Sequence, residues 1–119
     1  MRHSMRLKAA PFQMIWQGHK TIELRLYDEK RQKLQPGDEI EFEELADHSR
    51  KMVVEVVALH RFASFEALYA ALPLLKCGYL PGEPAHHRDM LDYYSAEEQS
   101  KYGVVGIEFV VKAREDVAQ

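Results

Sequence analysis

Gly18-His19-Lys20-Thr21-Ile22-Glu23-Leu24-Arg25-Leu26-Tyr27-Asp28-Glu29-Lys30-Arg31-Gln32-Lys33 joins two segments of different character. In the first, Ile22, Leu24 and Leu26 alternate with Thr21, Glu23 and Arg25. An extended chain has a side-chain period of two, so the pattern predicts a strand with an apolar back and a polar front. From Tyr27 to Lys33 the alternation stops and charges crowd together, which reads as a loop or helical turn carrying Tyr27, Asp28, Glu29, Lys30 and Arg31. Upstream, Pro11 to Gln17 predicts a short helix, with Pro11 at its first position and Gly18 just past its end. Downstream, Gln35-Pro36-Gly37-Asp38 is a turn signal leading into another strand.

Working outward, Met5 to Lys8 reads as a first strand. In the helix after it, Phe12, Ile15 and Trp16 form one apolar stripe, which makes Trp16 a core residue rather than a stacking platform. Glu39 to Glu44 alternates again, with Ile40 and Phe42 inward. Ala46 to Arg50 reads as a hairpin connection to a Val-rich strand, Met52 to Leu59, whose apolar end Val56 to Leu59 predicts burial on both faces. Ser64 is a helix N-cap before Phe65 to Leu72, and Pro73 stops that helix. Tyr79 to Arg88, rich in Pro and Gly, reads as a long surface loop. Asp89 to Tyr94 has helical character, Ser95-Ala96-Glu97-Glu98 is a capping-box pattern for a helix to Tyr102, and Gly103 ends it. Val104 to Lys112 is the last strand, and Glu115 onward a frayed tail. About five strands with short helices inserted between them, without regular βαβ alternation, predict an α+β fold: a small mixed barrel that hides its strand edges.

The chain has 119 residues, which fits one domain, residues 1–119 with its core at about 5–112. A core of that size forms without metal or disulfide staples, and the lone Cys77 has no partner for an internal disulfide. One free thiol suits a reducing cytoplasm, and no apolar run reaches the ~20 residues a membrane span needs. A net charge of −3 argues against an indiscriminate nucleic-acid coat but permits a local basic patch. Acids gather at Asp38, Glu39, Glu41, Glu43, Glu44 and Asp47, and bases at Lys20, Arg25, Lys30, Arg31 and Lys33. If the two groups occupy different faces, the molecule is electrically two-sided and orients a polyanion.

Several residues carry chemistry in this reading. Lys20, at the mouth of the central strand, suits a phosphate as a point charge, or serves as a base if desolvated; an ordinary exposed lysine is the plain alternative. Thr21, Glu23 and Arg25 share a face, so Glu23 and Arg25 pair along it or hold a polar ligand. Tyr27, Lys30 and Arg31 combine cations for phosphates with a ring for an unstacked base; a solvated charge run is the plain alternative. Tyr79, Tyr93, Tyr94 and Tyr102 add aromatic surface. His86, His87 and Asp89 lack metal-site spacing, and neither a metal nor a cofactor is expected. Cys77 reads as a buried structural thiol.

The order Pro-Phe, short helix, Gly18-x-Lys20-Thr21-x-Glu23-x-Arg25, charged loop, then Gly37-Asp38-x-Ile40-x-Phe42 resembles an ASCH domain. The likeness runs from about Leu7 to Val57 and returns at Gly103-Val104-Val105-Gly106-Ile107-Glu108. It implies a PUA-like β-barrel and an association with RNA. The implied function is an RNA- or nucleotide-binding module, with Arg25, Lys30 and Arg31 on phosphate, Glu23 accepting from a base edge or ribose, and Tyr27 stacking. Some ASCH proteins hydrolyse the amide of acetylated cytidine with a threonine two residues beyond the one matching Thr21; here that position is Glu23. The alternatives are a small hydrolase acting on a modified nucleoside or RNA, with Lys20 and Glu23 as the acid–base pair, and a protein-interaction domain using the acidic strand Glu39 to Glu44.

Overall fold

The computed structural model describes residues 1–116. Five strands form one mixed sheet: β1 (Arg2–Leu7), β2 (Ile22–Leu26), β3 (Glu39–Glu44), β4 (Arg50–Phe62) and β5 (Val104–Asp116), in the spatial order β1-β3-β4-β5-β2. β1 runs parallel to β3, with Met5 beside Phe42, and the remaining neighbours are antiparallel. The sheet curls into a half-barrel, as the pattern of strands and helices predicts for an α+β chain. Its free edges, β1 and β2, meet across a seam bridged by a side chain: the Arg25 guanidinium donates to the Arg6 carbonyl at 3.2 Å.

Two apolar clusters hold the layers together. Met5, Leu7, Phe12, Ile15, Ile40, Phe42, Met52, Val54, Val105, Ile107 and Phe109 fill the concave side, plugged by helix α1 (Ala9–Trp16). Ile22, Leu24 and Leu26 pack on the other side of β2 against Phe65 and Leu68 of α2 (Phe65–Ala71), with Cys77 and Met90. Helix α3 (Ala96–Tyr102) completes that outer layer, with Tyr102 against it. Ser64 caps α2 and the Ser95–Glu98 capping box starts α3, as their sequence signals predict. Trp16 stacks on Phe12 at 5.9 Å and packs on the concave core.

Several expectations are corrected. β1 begins at Arg2, because pairing with Glu39 to Glu44 satisfies its backbone. Pro11 is the third helical residue, where its missing N–H still costs nothing. Double burial falls at Met52, Val53 and Val54, not at Val56 to Leu59: a register shift between Val56 and Ala58 turns Val57 outward to 42% exposure. β4 extends to Phe62 and β5 to Asp116, each 13 residues, so Glu115 is paired with Lys51 rather than frayed. The rest of the expected tail, 117–119, lies outside the described residues. Within the Tyr79 to Arg88 stretch, His86 caps a 3-10 turn, His87–Asp92, by accepting from the Arg88 N–H. Its ring lies 4.4 Å from that of His87.

Candidate functional site

The polar front of β2 faces the inside of the half-barrel. Glu23 lies opposite Ile107 and Arg25 opposite Val105, both core residues, and cross-strand partners share a face. Glu23 is therefore only 5% exposed and Lys20 only 9%, which rules out the plain solvent-side ladder and the ordinary exposed lysine.

Local structure delivers Lys20 there. α1 ends at Trp16 with Gln17 as its C-cap, Gly18 takes φ +82°, and the chain folds back so that the N–H groups of His19 and Lys20 both reach the Met14 carbonyl. Lys20 Nζ then lies 2.7 Å from Glu23 Oε1. Arg25 Nε donates to Glu23 Oε2 at 2.9 Å. Thr21 contributes backbone: its N–H donates to the Lys76 carbonyl at 2.9 Å and its carbonyl accepts from Phe109 at 3.1 Å. That first bond ties the start of β2 to the 3-10 turn Leu74–Cys77, whose capping Gly78 lies against the Lys20 stem.

Electrostatics follow from this enclosure. Burial pushes the Glu23 carboxyl up, but the charges of Lys20 and Arg25 and their hydrogen bonds outweigh it and hold it below the ordinary carboxylate range. Burial pulls the Arg25 guanidinium down, and Glu23, then Tyr94, more than restore it. The Cys77 thiol is pushed up to about 11, chiefly by burial, with Lys20 opposing. A thiol in that state is a poor nucleophile. A carboxylate saturated by two cations is likewise a weak general base. Glu23 thus holds two cations in place, and their unused N–H groups remain as donors.

The seven residues singled out in the sequence divide among three places. Lys20 and Glu23 are interior, with Thr21 half-buried between them. Arg25, Lys30 and Arg31 line a cleft of about 540 Å³ at the β1–β2 seam, together with Ser4, Met5 and Arg6 of β1, Glu41 and Glu43 of β3 and Lys51 of β4. Tyr27 lines a different cavity, with the Arg61 guanidinium 4.1 Å above its ring. Burial, then the positive charges of Arg31 and Arg25, draw the Lys30 ammonium below its ordinary value. Arg31 pairs with Asp28 at 3.2 Å, while its buried Nε donor has no hydrogen-bond partner among the described residues.

Acids and bases therefore share one cleft rather than occupying separate faces. The acidic strand is also not bare: Glu39 pairs with Arg2, Glu41 with Lys51, Glu43 with His48 and Glu44 with Arg50. Sequence reasoning missed Arg6 and Lys51, for which only the long-range strand pairings supply a signal. Among the described residues, no three His, Cys, Asp or Glu side chains converge as a metal site requires. No helix among them is long and apolar enough to cross a membrane.

Known proteins extend this geometry. The chain is similar to the crystal structure of hypothetical protein PH0355, at 32% identity and a TM-score of 0.79, over 94% of this chain and 100% of that one. It is similar to the solution structure of protein PF0455 from Pyrococcus furiosus, at 33% identity and a TM-score of 0.71, over 93% of this chain and 97% of that one. The ASCH crystal structure from Zymomonas mobilis shares the fold at 13% identity, with a TM-score of 0.63 over 99% of this chain and 75% of that one. None of the curated proteins is a match. The family model for the ASCH domain matches residues 5–112, and with that match over most of its length the chain belongs to the ASCH domain family.

Proposed function

We propose that the chain is an RNA-binding module whose phosphate contacts lie in the seam cleft. The family is generally thought to bind RNA. The observation that carries the reading to particular residues is the convergence of Arg25, Lys30 and Arg31 on one cleft, with Lys30 exposed to solvent. An anion entering between them offsets the mutual repulsion of these cations. Arg6 and Lys51 extend the cationic lining, and Glu41 and Glu43 disfavour phosphate on the β3 side, which orients the strand. Lys20 and Glu23 act beneath, fixing Arg25. The free thiol suits a reducing compartment, and the cytoplasm is the compartment of this reading.

Fluorescence anisotropy with a labelled single-stranded RNA, titrated across salt, tests the assignment. Three phosphate contacts give a log–log slope near −2, at about −0.7 per contact on single strands. Lys30→Ala flattens it by about 0.7, as does Arg31→Ala, whereas Lys112→Ala, on a surface pair with Glu55, leaves it unchanged. A slope that Lys30→Ala does not move removes phosphate from this cleft.

A further inference from the structure

Tyr27, Arg61, Phe62, Ala63, Tyr102, Gly103 and Val104 line a cavity of about 340 Å³. It is separate from the seam cleft but hangs on the same loop. Tyr27 stands two residues beyond Arg25, about 7 Å of extended chain, and three before Lys30. The loop is braced at both ends: the Tyr27 N–H donates to the Gly103 carbonyl at 3.0 Å, and Gln32 Nε2 donates to the Tyr27 carbonyl at 3.0 Å.

Arg61 is the unexplained residue. It sits near the end of β4, exposed; among the described residues no carboxylate pairs with it, and its guanidinium lies over the half-buried Tyr27 ring. A guanidinium laid on a ring presents a second flat, weakly hydrated face to solvent. Tyr102, with the Lys101 ammonium 5.0 Å above its ring, supplies another aromatic wall. Flat cationic and aromatic surfaces around one cavity match the π-face of a nucleobase, and stacking of this kind tolerates any base.

We propose that this cavity is a base-stacking subsite, in which an unstacked RNA base lies on the outer face of Arg61 while its neighbouring phosphate sits at Lys30 and Arg31. This rests on the RNA-binding reading and adds to it a second site with Arg61 as its principal residue. The arrangement also assigns Tyr27 a different part from direct stacking: it is the platform that holds the guanidinium flat.

The experiment compares an adenylate pentanucleotide with a pentamer of the same ribose–phosphate backbone lacking bases, on the wild type and on Arg61→Lys. Lysine keeps the charge and loses the plane, and because Arg61 is exposed the variant is expected to melt as the wild type does. The wild type is expected to prefer the base-bearing pentamer by about tenfold. Arg61→Lys is expected to bring that preference to within about twofold while binding the abasic pentamer as before. A preference that survives in Arg61→Lys, or equal weakening of both pentamers, overturns the subsite and leaves the seam cleft standing. Failure of the wild type to bind either pentamer at low salt overturns the RNA reading and the subsite with it.

Discussion

Glu23 is a buried carboxylate on which two cations depend. Its oxygens are divided, Oε1 to the buried Lys20 and Oε2 to the half-buried Arg25. Enclosing such a cluster costs desolvation that only the mutual attraction offsets, so removing the anion leaves two positive charges facing each other. Glu23→Gln is therefore expected to destabilise the fold by about 3 kcal/mol, read as a lower urea midpoint. The pH dependence has a definite sign. The folded carboxyl titrates below its unfolded value, so its contribution is complete above the ordinary carboxylate pKa and is lost as pH falls through the depressed folded value. The wild type is thus expected to lose stability in acid more steeply than Glu23→Gln, and the two curves to converge there. Parallel curves would mean that the Glu23 carboxyl titrates in the fold as it does in the unfolded chain. The alternation of β2 made the pairing of Glu23 with Arg25 legible. Its depth was not, because period-two patterning separates two faces without saying which one another layer will cover.

The short elements around the sheet were legible where a backbone rule dictates the residue. Ser64, Ser95 with Glu98, and Gly103 each mark a helix end because each satisfies or permits a terminal backbone geometry. Gly78 shows what such rules leave out. It ends the Leu74–Cys77 turn at φ +113°, and a Cβ there would stand 3.3 Å from Lys20 Cδ. Gly37 also has a positive φ, +93°, with nothing within 4 Å of a Cβ. Alanine at either position meets the left-handed penalty of about 1 kcal/mol, but only Gly78→Ala also presses on the Lys20 stem. Chemical denaturation should show Gly37→Ala losing about 1 kcal/mol and Gly78→Ala about 2. Equal losses would show that Lys20 shifts freely, and that the turn covers the ion cluster without clamping it. The Tyr79 to Arg88 stretch follows the same lesson. Its Pro and Gly content marked a loop, but its anchoring is tertiary: Tyr69, Tyr79 and Asp89 form a hydroxyl chain at 2.7 and 2.6 Å.

Closure of the sheet belongs to the assembled molecule. Every strand except β1 and β2 has neighbours on both sides, and those two edges are joined by the Arg25 fork rather than by a ladder. A barrel was the expected closure because it hides edges, and the parallel β1–β3 pairing was unreadable because it joins residues 37 apart with no local signal. The 13-residue strands were equally hidden, since Arg50, Lys51, Arg114 and Glu115 look like loop residues until the β4–β5 ladder gives their backbones partners. This architecture predicts a gradient of local stability. β4 and β5 carry the longest ladder and contribute Met52, Val54, Val56, Val105, Ile107 and Phe109 to the concave core, so their central amides should exchange only on global unfolding. β1, held on one side by β3 and on the other by Arg25, should open at lower free energy. Arg25→Lys keeps a positive charge beside Glu23 but lacks the planar fork that also reaches the Arg6 carbonyl. Native-state hydrogen exchange should therefore show the variant losing protection chiefly along Arg2–Leu7, by roughly tenfold for one lost charge-assisted hydrogen bond, with the β4–β5 centre nearly unchanged. Uniform loss across all five strands would mean that the seam opens only with the whole fold. The seam cleft would then be rigid, and under the RNA-binding proposal a strand would have to enter it from the surface rather than between the edges.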